Sequence, residues 1–346
     1  MNSRAKKSLG QHFLKNRAAV ETIIDALDIS GGDTIIEIGP GAGALTLPLL
    51  QRSNGNHITK PWLNSVIGPS PKEKECGIRS IEYDSKNKKC DAHESCLLNS
   101  ESIRVIAIEK DERLAKRLQS TVRDAFPSDS EFMRPDLEVV TGDALKILPT
   151  IVRDSGFRTQ DSRNEERGVP ESCFLNHESS YKIAGNIPYY ITGRLLRVIS
   201  ELEHKPEFTV LTIQKEVAER ICAKPPKMNL LAAITQFWAT PKILMRLTPA
   251  DFSPPPKVHS AILELKTHPS FLTAHSSPLV AQHSLFARAL FRHPRKTILN
   301  NLKSADFLSE YDILSLMGRS FLSKRPHDLS MEQITTVVSL LTQNQK

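Results

Sequence analysis

The sequence contains no run of about 18 apolar residues, the length a helix needs to cross a bilayer, and its first residues lack the apolar stretch of a secretory signal. A cytoplasmic protein with no membrane partner is expected. Cysteine is scarce as well. Cys76, Cys90, Cys96, Cys173 and Cys222 are an odd number scattered over 346 residues, unlike the dense, even spacing of a disulfide framework. Reduced thiols are expected. The stretch Cys90 to Cys96, with Cys76 and His57 upstream, holds soft ligands, but their spacing is not that of a zinc finger and the surrounding chain is polar and irregular. No metal is expected there. The hydrophobic content of 39% suffices for one large α/β domain and a smaller one without such staples.

Charge is uneven along the chain. The formal net charge of +7 divides into +5 over residues 1–17, +4 over residues 267–346 and −2 over the middle. Both ends carry the local basic density that phosphate binding uses, although a solvated charged face has the same composition.

Periodicity places the elements. Val20, Ile23, Ile24 and Leu27 recur at helical spacing and end at Gly31-Gly32. Thr34–Ile38 is a short β-branched run followed by Gly39-Pro40-Gly41-Ala42-Gly43 and an apolar helix start at Leu45. Arg104–Glu109 predicts a second buried strand, and Leu114, Leu118 and Val122 the helix after it. Further strands are expected at Leu137–Thr141, Tyr181–Gly185, Thr209–Gln214 and Ala261–Leu265, with helices near 192–203, 215–223 and 229–238. This β-α alternation predicts a doubly wound, Rossmann-like α/β sheet. Residues 53–101 and 152–180 break the rhythm, being polar, charged and without apolar periodicity, and are expected to be insertions dispensable for chemistry. A linker near 266 would divide domain 1–266 from a small helical domain 267–346 that begins its apolar pattern at Leu285.

Four strand ends carry candidate chemistry. The loop containing Gly39 and Gly41 follows a strand and opens a helix, where glycine lets backbone approach a nucleotide, though a ligand-free tight turn would have the same residues. Glu109 ends the second strand, placed to accept from ribose hydroxyls or else simply solvated. Its distance of 70 residues from Gly39 shrinks to the usual gap of about 20 once 53–101 is set aside. Asp143, in Gly142-Asp143-Ala144, suits either an exocyclic adenine amine or a helix N-cap. The most specific piece is Asn186-Ile187-Pro188-Tyr189. An aromatic amine such as adenine N6 is a poor nucleophile because its lone pair is delocalised, and two acceptors on its hydrogens favour localised geometry. The Asn186 side-chain oxygen and the Ile187 carbonyl can supply them, Pro188 stiffens the turn, and Tyr189 offers a ring for stacking.

At these residues the chain resembles the ribosomal RNA adenine dimethyltransferase family, and within it the branch acting near the 3′ end of small-subunit ribosomal RNA. The resemblance rests on Leu9-Gly10-Gln11-His12-Phe13-Leu14, Glu37-Ile38-Gly39-Pro40-Gly41, Ile108-Glu109, Gly142-Asp143-Ala144, Asn186-Ile187-Pro188-Tyr189, Gln214-Lys215-Glu216-Val217 and Phe252-Ser253-Pro254-Pro255-Pro256-Lys257-Val258, in that order. It implies an S-adenosyl-L-methionine-dependent enzyme of ribosome biogenesis. The cofactor would be held at His12, Leu14, Gly39, Gly41, Glu109, Asp143 and Asn186, and the target adenine between the Asn186 loop and Tyr189. The implied partners are small-subunit ribosomal RNA and a pre-30S-type particle, met by a monomer. Two positions depart from the family pattern: His12 and Tyr190 each stand where asparagine is usual. The relatives that methylate large-subunit RNA share the Asn186 loop. A non-catalytic assembly or transcription factor and a DNA adenine methylase are rival readings, the first opposed by the intact loop and the second by its single proline.

Overall fold

Thr34–Ile38 and Arg104–Glu109 are almost wholly apolar and β-branched, and such strands are stable where both faces are covered. In the computed structural model they lie at the centre of a seven-stranded sheet. The structure describes residues 11–53, 103–126, 136–152, 180–272, 277–305 and 317–343, with 170, 175 and 315 as isolated positions. Residues 1–10 and nearly all of the expected insertions, including His57, Cys76, Cys90 and Cys96, lie outside the described residues.

Strand β1 (Phe13–Leu14) and helix α1 (Arg17–Ala26) precede β2 (Thr34–Ile38), α2 (Thr46–Ser53), β3 (Arg104–Glu109), α3 (Glu112–Ala125), β4 (Asp136–Thr141) and α4 (Ala144–Val152). There follow β5 (Tyr181–Asn186), α5 (Thr192–Glu201), β6 (Phe208–Gln214), α6 (Lys215–Ile221), α7 (Leu230–Trp238), β7 (Ala239–Leu247), β8 (Phe252–Ser253) and β9 (Ser260–Thr267). The tail contributes α8 (Ser277–Leu290), α9 (Ile298–Lys303), α10 (Arg319–Leu322) and α11 (Met331–Gln343). The sheet order is β4-β3-β2-β5-β6-β9-β7, parallel from β4 through β6 and antiparallel at β9 and β7.

Strand alternation sorts the core into two layers. Ile36, Ile38, Ile106 and Ile108 face α4 and α5, packing with Leu148, Ile151, Leu195 and Ile199. Ile35, Val105 and Ala107 point the other way, against Val20, Ile23 and Ile24 of α1, Leu49 of α2 and Leu118 of α3. Asn16 and Asp111 cap α1 and α3 by accepting from the backbone N–H of Ala19 and Arg113. A third core joins Phe286, Leu290, Ile298, Leu322, Ile334 and Val338 of the tail to Met228, Ala232 and Ala233 beside α7.

The six expected strands and the helices at 192, 215 and 229 are present within a few residues of their sequence bounds. Strand β7 and the pair β1–β8 add to that expectation. β7 contains Pro241 and is mixed in burial because it is an edge strand bonded only to β9, where a residue without an N–H is tolerated. β1 and β8 are two residues each, with Phe13 opposite Ser253 and Leu14 opposite Phe252, too short to produce any period.

Candidate active site

In an open parallel sheet, ligands collect at the carboxyl ends of strands where the strand order reverses. Here that point lies between β2 and β5, and the chain beyond each strand end bends into it. Gly39 and Gly41 have φ of +69° and +57°, and a Cβ on Gly41 would stand 2.9 Å from the Phe13 ring. The loop therefore needs glycine both for its conformation and for the close passage of the N-terminal segment above it. Gly41 N–H donates to Glu109 Oε2 at 3.0 Å, and Asp111 N–H donates to Glu109 Oε1 at 2.8 Å. Glu109 is thus buried and tied to the glycine loop. Burial raises its pKa, and the backbone donors oppose that rise.

Asp143 takes the N-cap geometry and, in addition, an ion pair that its sequence context does not predict. Its Oδ1 accepts from Leu145 N–H at 3.1 Å, as an N-cap would, and its Oδ2 accepts from Lys110 Nζ at 2.9 Å. Partial burial favours the neutral acid, yet Lys110 and the Leu145 amide outweigh it and hold the carboxyl below its ordinary range. The ion pair joins the end of β4 to the end of β3.

Asn186 is the last residue of β5 and its neighbours turn sharply outward. Ile187 is buried in the core, anchoring the turn. Pro188 gives its carbonyl to Ile191 N–H at 3.1 Å, closing a single 3₁₀ turn over Tyr189–Ile191. Asn186 Nδ2 donates to the His12 carbonyl at 2.7 Å. That bond turns Nδ2 towards His12 and leaves Oδ1 as the acceptor end of the amide. Among the described residues, neither Asn186 Oδ1 nor the Ile187 carbonyl accepts a protein hydrogen bond. Tyr189 is held from two sides: its hydroxyl shares a 2.6 Å hydrogen bond with Ser260 Oγ, and its ring stacks on His12 with centroids 5.9 Å apart and planes 20° apart. The His12 ring is itself bonded through Nδ1 to the Pro254 carbonyl at 2.8 Å. Lys15 N–H and the Asn16 amide add bonds to Asp251 at 2.9 and 2.7 Å, so the segment 12–16 is strapped to 251–254 across the site.

His12, Leu14, Gly39, Gly41, Glu109, Asp143, Asn186, Ile187, Pro188 and Tyr189 all line one open cavity. The scattered sequence candidates are therefore brought together without exception. Phe13, Glu37 and Lys110 also line it, and sequence reasoning assigns them no role; Tyr190, noted there as a departure from the family pattern, lines it too. Glu37 has a signal, being the sole carboxylate in the buried run of β2. It is 1% exposed, accepts from Thr46 Oγ1 at 2.6 Å, and has its pKa raised to about 8, chiefly by burial. The fold therefore prefers protonated Glu37: its contribution is complete below the unfolded value near 4.5 and declines as pH rises towards 8. Glu37→Gln keeps an acceptor for Thr46 and removes the ionisation. Its stability relative to the parent should rise with pH across that window, at no more than about 1.4 kcal/mol per unit. Urea unfolding at pH 5 and pH 8 measures this; a stability difference independent of pH would contradict it.

Together, the sheet order and the cavity at its switch point define a Rossmann-like α/β protein with a candidate ligand site at its strand ends. Two solved structures share the fold. A dimethyladenosine transferase from Plasmodium falciparum aligns with a TM-score of 0.62 at 20% identity, covering 96% of this chain and 98% of that one. The 23S rRNA methyltransferase ErmE aligns at 0.57 and 17% identity, covering 95% and 99%. More specifically, the chain belongs to the ribosomal RNA adenine dimethylase family, whose model matches residues 2–59 and 92–335. The unmatched residues 60–91 fall inside the segment 53–101. The chain is 28% identical to the Ribosomal RNA small subunit methyltransferase A of Dehalococcoides mccartyi strain 195, over 99% of this chain and 90% of the relative. It is also 28% identical to that of Syntrophotalea carbinolica, over 99% and 98%.

Proposed function

We propose that this methyltransferase dimethylates N6 of adenosines near the 3′ end of small-subunit ribosomal RNA, using S-adenosyl-L-methionine. The observation that carries this reading is the Asn186 amide, held through Nδ2 by the His12 carbonyl at a cavity that Ile187, Pro188 and Tyr189 also line. The relatives named as small-subunit methyltransferases support the choice of RNA.

The cavity suits the donor. Glu109 spends one lone pair of each carboxylate oxygen on backbone amides, leaving one on each for ribose hydroxyls. Gly39 and Gly41 admit close backbone approach, Leu14 and Ile108 add apolar wall, and Asp143 stands at the base end. When bound, the donor supplies an already activated methyl on sulfonium, so no covalent nucleophile is needed. The protein's part is alignment and exclusion of water. Asn186 Oδ1 and the Ile187 carbonyl accept the two N6 hydrogens, localising the nitrogen lone pair as positive charge develops there. Tyr189, immobilised by Ser260 and His12, presents a fixed ring to the adenine. A second transfer requires the monomethylated amine, after losing a proton to solvent, to rotate so that its one remaining hydrogen is again accepted and its lone pair faces the donor.

The partners in this reading are small-subunit RNA and its pre-30S-type particle, engaged by a monomer in the cytoplasm. The larger domain, 1–266, carries the chemistry and the helical region, 267–346, helps hold the RNA. Arg295 and Lys296 are exposed between α8 and α9, and Lys6 and Lys7 belong to the basic N-terminal arm. Neutralising these four should weaken RNA binding and flatten its dependence on salt, by up to about 0.9 in log–log slope for each phosphate that is no longer neutralised, with donor affinity unchanged. Titrations at several salt concentrations decide the matter, and an unaltered slope would move the RNA surface elsewhere. The function itself is tested with labelled donor offered to small-subunit RNA, large-subunit RNA and DNA, followed by mass mapping of small-subunit RNA from cells lacking the protein. Label entering DNA or large-subunit RNA alone would defeat the reading.

A further inference from the structure

Tyr190 is 59% exposed, more than any other large apolar side chain among the described residues. It lines the cavity directly after Tyr189, yet the two rings are treated oppositely. Tyr189 is fixed by Ser260 and by stacking on His12. Tyr190 makes no hydrogen bond or ring contact of that kind among the described residues. An aromatic ring left in water beside a site is a cost to solubility with no return in core packing.

The polynucleotide supplies a use for it. For N6 of one adenine to reach Asn186, that base must leave its stack and enter the cavity, while the adjoining nucleotides stay outside at the mouth. Tyr190 is on that mouth, one residue from the ring assigned to the entering base. Lys110, about half exposed, adds a cation on the same rim, and its bond to Asp143 raises its pKa further. A ring flanked by a cation is the pairing that holds unstacked single-stranded nucleotides, and every base offers it a face.

We propose that Tyr190 is the stacking platform for the nucleotide adjoining the target adenosine, replacing the stacking partner that this nucleotide loses when the adenosine enters the cavity. The proposal rests on the RNA adenosine reading above. Tyr190 positions substrate; it takes no part in the transfer itself.

The test uses the full-length chain and unmethylated small-subunit particles in single-turnover methyl transfer, with donor-site occupancy measured separately by calorimetry with S-adenosylhomocysteine. Tyr190→Ala should raise the particle concentration for half-saturation about 5- to 100-fold, the range expected when one base–aromatic stack is removed. The saturated rate should change less than about threefold. Tyr190→Phe and Tyr190→Trp should restore the parent value, because stacking needs the ring and not the hydroxyl. S-adenosylhomocysteine affinity should be the same in all four proteins. Unchanged half-saturation in Tyr190→Ala overturns the proposal, and so does a matching loss of S-adenosylhomocysteine affinity, which would place the ring on the donor. Failure of Tyr190→Phe to restore the parent value would overturn it as well. If the parent chain transfers no methyl to the particles, the functional reading fails first and takes this one with it.

Discussion

Asn186→Ala is expected to lower saturated methyl transfer about a hundred- to a thousandfold, equivalent to about 3–4 kcal/mol, by analogy with loss of one preorganised group in an oxyanion-type site. The reason is timing. In the proposed mechanism Asn186 Oδ1 gains most from its N6 hydrogen as charge develops on nitrogen, so its removal acts on the transition state more than on binding. The structure adds a second consequence. Asn186 Nδ2 is bonded to the His12 carbonyl, so the substitution also releases one tie between the turn and the 12–16 strap. Asn186→Asp separates the two effects, since a carboxylate keeps an acceptor of the same size but cannot donate to His12. If it recovers much of the lost rate, the acceptor dominates; if it resembles alanine, the strap matters equally. Glu109→Ala provides the contrast, because loss of a group that ties Gly41 and is proposed to hold the donor ribose should weaken donor affinity and be partly rescued by excess donor. Single-turnover rates across donor concentrations read all three variants. Near-normal saturated turnover in Asn186→Ala would remove the central residue from the mechanism.

The residues legible in the sequence are those whose identity depends on their own segment. Strands β2, β3, β5 and β6 announce themselves because both faces are buried and the runs are mostly apolar, without strict alternation. Gly39, Glu109, Asp143 and Asn186 stand at ends of such runs, and a parallel sheet places successive strand ends on one side, so their convergence follows from topology. Traffic between distant segments leaves no such mark. Nothing in Gln11–Leu14 foretells that the His12 carbonyl orients Asn186, 174 residues away, or that its ring stacks on Tyr189. Nor does Glu109, read as a ribose ligand, disclose that it first organises the glycine loop. Glu37 is readable only as an oddity of pattern, since its protonation follows from complete burial, which outweighs the opposing bonds from Thr46.

Lowering the pH should destabilise the helical region through one histidine. His283 on α8 is fully buried, its ring stacked on Phe237 of α7 at 3.6 Å and 12°, and neither ring nitrogen has a hydrogen-bond partner among the described residues. Burial pushes its pKa down to about 3, against an ordinary value of 6.5. The folded protein therefore keeps His283 neutral while the unfolded chain takes up a proton below 6.5. Its contribution to stability is complete above that value and is lost progressively as pH falls towards 3, by up to about 1.4 kcal/mol per unit and on the order of 5 kcal/mol across the window. Asp143 and Asp251, whose carboxyls are held low by their partners, lose stability in the same direction as pH falls. They are common to parent and variant, so a difference measurement cancels them. His283→Phe retains an aromatic ring for Phe237 and removes the proton site along with two unsatisfied nitrogens. Its stability relative to the parent should grow steadily as pH drops from 6.5 to 5, measured as urea midpoints by a probe of the α8–α11 helices. Hydrogen exchange in α8 and α7 should accelerate in the parent before it does in the central strands, because the titrating group sits where these helices meet. Parallel pH profiles for parent and variant would show that the ring is already relieved, by hydration or by a partner outside the described residues.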